Sequence, residues 1–168
     1  MQTKPSLGNL RKERAFYVVA TCIVVVAKER KGLFVKRSDE AKIHAGKWAP
    51  VGGKLEWDDF LSTPPTRVHG VVDDWVGILE TLVCREAMEE ARVRVGHLKY
   101  LGSVLYVRPD GIPCFCIKMA GEHLGGDPQL TDEFTSVGWF ADGELDASKC
   151  VAGLCEELKI AIDLVCQR

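Results

Sequence analysis

The run Arg85-Glu86-Ala87-Met88-Glu89-Glu90 places three carboxylates at i, i+3 and i+4. On an α-helix of about 3.6 residues per turn, they share one face roughly 100° wide. Like charges at that spacing repel, so the clustering does not stabilise the helix. A hard divalent cation reverses the sign of the effect, because it takes carboxylate and other oxygen ligands. The run therefore points to a metal site, against the plainer reading of a solvated charged face.

The helix carrying this run is expected over residues 75–92. Leu79, Val83, Ala87 and Ala91 repeat every four residues and form its buried stripe, with the glutamates mostly off it. Asp73 or Asp74 is placed to cap its start. Upstream, Phe16 to Ala27 reads as a long strand of about 16–28, Gly32 as a turn, and Leu33-Phe34-Val35 as a partner strand. Residues 38–47 are polar and loop-like. Trp48-Ala49-Pro50-Val51-Gly52-Gly53 reads as a short extended piece entering a glycine turn. Residues 57–75 look irregular and inserted. Downstream come strands at about 99–108 and 112–119 around the turn Pro109-Asp110-Gly111, a loop from Gly121 to Asp132, and a strand at Ser136–Phe140. A final helix has its spacing set by Leu154, Leu158, Ala161, Ile162 and Val165.

The chain has 168 residues, 46% hydrophobic and 27% charged, with a net charge of −2. That fits one domain over residues 1–168, preceded by a polar arm at 1–14. The charge balance gives no basic footprint for nucleic acid, so phosphates must be met locally by a metal or a few basic groups. The seven cysteines are odd in number and form no C-x-x-C pair. Reduced thiols and a cytoplasmic setting are the reading, with Cys114 and Cys116 packed on one strand face. The apolar run after Arg11, Lys12 and Arg14 is too short to span a bilayer, and no membrane association is expected.

Gly52-Gly53-Lys54-Leu55-Glu56, followed by Arg85-Glu86-Ala87-Met88-Glu89-Glu90, resembles the box of the Nudix hydrolases. The family pattern is G-x5-E-x7-R-E-U-x-E-E-x-G-U, with U apolar. Gly46-Lys47-Trp48-Ala49-Pro50-Val51 ahead of the box, and Asp132-Glu133-Phe134 through Trp139-Phe140 after it, extend the likeness over most of residues 16–166. The chain departs from the pattern in three places. Glu56 lies 29 positions before Arg85 where the usual spacing is 11, which implies an insertion of 18 residues. Counting back from Arg85, Gly77 stands where the family has a glutamate. Arg92 stands where the family has glycine, so either the helix runs on toward Gly96 or Arg92 takes an unfavourable backbone geometry. Glu56, Asp73, Asp74 and Glu80 are candidates to replace the missing glutamate.

The resemblance implies an α/β/α sandwich with a mixed sheet and a loop–helix–loop motif. It implies hydrolysis of nucleoside diphosphates linked to another group, with Mg²⁺ or Mn²⁺ as cofactor and a small nucleotide as substrate. A nucleoside triphosphate pyrophosphatase leads. Coenzyme A, ADP-ribose and sugar-nucleotide diphosphatases, or a non-catalytic nucleotide-sensing domain, are the alternatives. By position, Glu86, Glu89, Glu90 and the carbonyl of Gly52 would be metal ligands. Arg85 would orient carboxylates, with Glu89 in i+4 reach, and Glu89 or a late-loop Glu133 would serve as base. Arg37 as a phosphate clamp and Trp48 as a base-stacking ring are the substrate-binding candidates, each weighed against a solvent-facing strand end and buried packing. His44 and His69 read as loop residues. Residues 57–75 are expected to cover the pocket as a lid or to make a homodimer contact.

Overall fold

The computed structural model describes residues 16–108 and 111–167. The expected arm at 1–14 and most of the turn at 109–111 lie outside those residues.

A mixed sheet forms the middle layer. Its first strand, β1 (Tyr17–Val26), is apolar at nearly every position because it is covered on both faces. Ala20, Cys22 and Val24 point into one core cluster, and Ile23 and Val25 into the other. β2 (Lys31–Arg37), β3 (Trp48–Ala49) and β4 (Val51–Lys54) follow. β1 pairs antiparallel with both β2 and β4. A one-turn helix, α1 (Asp58–Leu61), and a two-stranded hairpin, β5 (Arg67–His69) and β6 (Val72–Asp74), come next. Then follow helix α2 (Ile78–Ala91) and strands β7 (Arg94–Val107), β8 (Pro113–Gly125) and β9 (Phe134–Ala141). A short 3₁₀ turn at Ala147–Lys149 leads to helix α3 (Leu154–Cys166). The main path across the sheet is β3-β2-β1-β8-β7, with β4 on β1 and β9 on β2. The β1–β8 pairing is parallel.

Helix α2 packs on one face with Leu82, Val83, Ala87 and Ala91, and α3 on the other with Leu154, Leu158, Ala161, Ile162 and Val165. This is the expected α/β/α sandwich. Each helix is held by its apolar stripe, which is the usual source of helical stability in a protein.

Several local expectations need correction. Gly32 is not a turn residue but a buried position in β2, where a Cβ would come within 2.5 Å of Leu158 Cδ1. The chain reverses just before it, with Arg30 at φ 53°. Gly52 and Gly53 lie inside β4, opposite Thr21 and Ala20 of β1, rather than in a turn. β8 runs on to Gly125 and occupies the first part of the expected 121–132 loop. Residues 57–75 are not irregular. Trp57, Phe60 and Trp75 form an aromatic row with centroids 5.2 and 5.6 Å apart. Thr66 Oγ1 accepts from Val76 N at 2.8 Å and donates to Asp74 O at 3.0 Å. Asp73 and Asp74 belong to β6, so neither caps α2, which starts from Gly77 in the left-handed region.

Candidate active site

Helix α2 carries the acidic run across the sheet from β4. Its end is sharp. Arg92 takes φ 60°, and its N–H closes on the carbonyls of Ala87 and Met88. The second of the two alternatives for Arg92 therefore holds, at a cost of about 1 kcal/mol for a residue with a Cβ. Gly96 falls in β7 instead. The loop after β8 finishes the job. Gln129 N donates to Ala91 O at 3.1 Å, and Thr131 Oγ1 donates to Glu90 O at 3.3 Å. Those two bonds seat Glu133 beside the end of the helix.

Glu90 is 7% exposed and, among the described residues, the one buried charged residue beside an otherwise apolar core. Its Oε2 accepts the N–H of Gly52 at 2.8 Å. Burial pushes its carboxyl up to about 8. The Gly52 N–H pulls the other way, Glu86 and Glu133 add repulsion, and Arg37 offsets part of it. Glu86, Glu90, Glu133 and Arg37 therefore gather at one place. Glu86 lies against the backbone of Gly53, where a Cβ would stand 2.2 Å from its Oε1. Burial raises its carboxyl too, against the pull of Arg85. Gly52, at φ 150°, leaves no room for a Cβ either, since one would sit 2.3 Å from Ala20 O. The two glycines thus have separate reasons. Gly52 lets β4 close on β1, and Gly53 makes room for a carboxylate.

Arg85 is the hub on the outer side. It meets Asp59 Oδ1 at 2.9 Å, Glu86 Oε1 at 2.9 Å and Glu89 Oε2 at 2.7 Å. Glu89 is 55% exposed and held by Arg85, and its charge still acts on Glu86. Asp59 was missed by reading the sequence backward from Arg85. It is the sixth residue after Gly53, the position at which G-x5-E places its glutamate. Counted from Gly53, the 18 extra residues fall at 60–77 rather than 57–75, and Asp59 stands where the pattern has its glutamate. The four candidates considered for that role lie elsewhere. Glu56 pairs with Lys54 at 2.6 Å, Asp73 and Asp74 stand in the hairpin, and Glu80 is exposed one turn before Cys84.

Trp48 is not brought to this cluster. Its ring meets Phe140 edge-on at 4.8 Å within the core under α3. Arg37 is brought there, with its Nε donating to Ile43 O at 3.0 Å. His44 follows Arg37's loop, its ring held below the usual histidine range by burial and by that arginine. His69 lies 3.6 Å from Asp74 in the hairpin.

The donor chemistry suits a divalent cation. The buried Glu90 and the half-buried Glu86 repel each other, and Gly52 of β4 lies against Glu90 through its N–H. The set is not closed as it stands. Among the described residues, no three carboxylate, imidazole or thiol side chains converge on a single ion. Glu86 and Glu90 fit such an ion; Arg85 holds one oxygen each of Glu86 and Glu89.

No family model matches the sequence, and no curated protein matches it. Solved structures do. A MutT Nudix hydrolase from Burkholderia pseudomallei is 21% identical, covering 86% of this chain and 97% of its own, with a TM-score of 0.64. A MutT protein from Methanosarcina mazei Go1 is 18% identical, covering 92% and 98%, with a TM-score of 0.62. A Nudix hydrolase from Nitrosomonas europaea is 16% identical, covering 89% and 90%, with a TM-score of 0.63. The sandwich, the strand glycines and the acidic helix lie together in a chain whose fold is that of the Nudix hydrolases.

Proposed function

We propose that this chain hydrolyses a diphosphate bond in a nucleotide, using Mg²⁺ or Mn²⁺ held by Glu86, Glu90 and the Gly52 carbonyl. The observation that carries the reading is Glu90, a carboxylate buried beside Glu86 and Glu133 and pushed up to about 8. A buried group in that state is held protonated unless a cation arrives. Bound there, a divalent ion would neutralise diphosphate charge and make water a better nucleophile. The chain's own residues do the rest. Arg85 holds Glu86 from one side and Glu89 from the other, and Asp59 fixes the guanidinium. The charge of Glu133 reaches Glu90 from the late loop, which supports Glu133 as the group that accepts a proton from the attacking water, directly or through a second water. Arg37 supplies positive charge at the same point.

A nucleoside triphosphate is the leading substrate, with coenzyme A, ADP-ribose and sugar nucleotides as the other members of the class. The exposed position of Glu89, held by Arg85, favours one further reading, a nucleotide sensor that binds without cleaving. A panel assay separates them. Purified protein with Mg²⁺ or Mn²⁺ should release a nucleoside monophosphate or a phosphorylated product from at least one of these compounds. Tight Mn²⁺ binding with no product from any of them would leave the sensor and reject the hydrolase.

A further inference from the structure

Strand β7 is an outer strand of the sheet. It pairs with β8 on one edge and, among the described residues, with no strand on the other. An outer strand presents a row of backbone N–H and C=O groups on which a further strand can pair. The first half of β7 is protected against this. It carries Arg94, His97 and Lys99, and its pairing with β8 shifts register three times between Arg94 and Gly102. Charges and bulges of that kind keep an edge from pairing. The helices cover this half too, with Val95 and Leu98 in the core on the α2 side and Leu101 in the core on the α3 side.

The second half has none of these features. Gly102 to Val107 pair with β8 in unbroken register, six residues in a row. No residue from Tyr100 to Val107 is charged. Ser103, Val104 and Leu105 point to alternate faces of the sheet, and all three are exposed, so neither face is covered there. Tyr100, Leu105 and Val107 are 65%, 59% and 66% exposed. Apolar side chains, two uncovered faces and an open edge therefore coincide in one short stretch.

We propose that this half of β7 is a homodimer contact, at which a second copy adds its own residues 101–107 as an antiparallel strand. A second copy fits because the stretch is complementary to itself about a two-fold axis. An antiparallel pair centred on Val104 joins 101–107 of one copy to 107–101 of the other. Every residue in that run is uncharged, and Lys99 and Arg108 stay outside it, so no like charges meet. The two copies of Val104 then lie opposite each other, with Cα atoms about 4.5–5.5 Å apart. Seven residues from each copy make a contact at the small end of specific interfaces, so association at micromolar concentration is expected. The contact uses none of the residues placed at the metal site and none of the insertion.

Sedimentation of the full chain in EDTA, from about 1 μM to about 1 mM, spans that affinity. Wild type should be dimeric by the top of the range. V104K and V104E should each raise the dimer Kd by about tenfold or more, because two like charges then face each other. A 1:1 mixture of the two variants should restore the dimer. Val104 is 40% exposed, so both variants should fold, and their melting curves check this. V68K, an exposed change in the β5–β6 hairpin, should dimerise as wild type does. Amide exchange of the wild type at 102–107 should slow as concentration rises, a readout that needs no variant. A wild type that stays monomeric throughout, including one that dimerises only once residues 1–14 are removed, would overturn the proposal. So would a dimer that survives both V104K and V104E, or one that only V68K breaks.

Discussion

Replacing Glu90 with glutamine should stabilise the metal-free protein while removing its response to metal. Glu90 ordinarily titrates near 4.5 and is pushed to about 8 in the folded state. The folded value is the higher one, so the folded state holds the extra proton. Its contribution is fully present below about pH 4.5 and is lost as pH rises through about 8. Linkage puts the loss under about 1 kcal/mol at pH 5, about 3 kcal/mol at pH 7 and about 4 kcal/mol at pH 8. Glutamine resembles the protonated acid in shape and charge. Its oxygen can still accept the Gly52 N–H, and its amide takes the place of the acid hydroxyl. Allowing for an amide imperfectly satisfied in a buried site, the net gain at pH 8 is about 1–2 kcal/mol. For a chain of this length that is a rise in Tm of about 3–6 °C. The assay is thermal melting of both proteins in EDTA from pH 5 to pH 9, repeated with excess Mn²⁺. Saturation at about 100 times the wild-type Kd should add about 3 kcal/mol to the wild type, increasingly so at higher pH because the ligand must be ionised, and no more than about 1.4 kcal/mol to E90Q, whose binding is at least tenfold weaker. A wild-type Tm flat across that range, or an E90Q protein melting below wild type at pH 8 and gaining equally from Mn²⁺, would refute the reasoning.

Asp59→Asn should lower kcat by about three- to tenfold and raise the metal concentration needed for half-activity, with the melting point nearly unchanged, and Asp59→Glu should restore both. A D59N enzyme with wild-type metal dependence would remove Asp59 from the Arg85 network. Glu133→Gln should reduce kcat by at least tenfold with KM held, and should shift the acid limb of the pH–rate profile; an unmoved profile would rule it out as the base. Trp48→Phe should leave KM alone and cost about 1–2 kcal/mol of stability, because the ring packs on Phe140; a selective rise in KM would return Trp48 to the substrate site. Replacing residues 62–74 with a short glycine–serine link should change substrate preference or oligomeric state, as assayed on the nucleotide panel and by light scattering. Neither effect would make the hairpin a passive insertion.

Much of the architecture was written in periodicity. The stripe of α2 and the five apolar positions of α3 are long, regular patterns, and both helices formed on them, although α2 starts at Ile78 rather than 75 and buries Leu82 more fully than Leu79. The continuous apolar run of β1 read as a buried strand, and it is one, covered on both faces. Strand ends were less legible, because β7 and β8 extend into polar stretches such as His97-Leu98-Lys99 and Glu122-His123 that pair along a sheet edge without an apolar signal. Gly52 and Gly53 look like turn residues on composition alone. Their reason is contact across the fold, with Ala20 and with Glu86, and no local pattern announces that. Asp59 was legible in principle, six residues past Gly53, but the inserted hairpin hides it from a count made from the other end. The rotamer of Glu89 was not legible at all. It depends on Arg85 choosing among three carboxylates, a balance set by geometry rather than by residue type.

Calorimetric titration of Mn²⁺ into wild type, E86Q, E90Q and the double variant at pH 8 addresses the metal site most directly. The wild type should bind Mn²⁺ with release of a proton from Glu90. Each single substitution should weaken binding by at least tenfold, and the double variant should not bind measurably. Unchanged Mn²⁺ affinity in the double variant, with the protein folded, would contradict the assignment of Glu86 and Glu90 as the ligands.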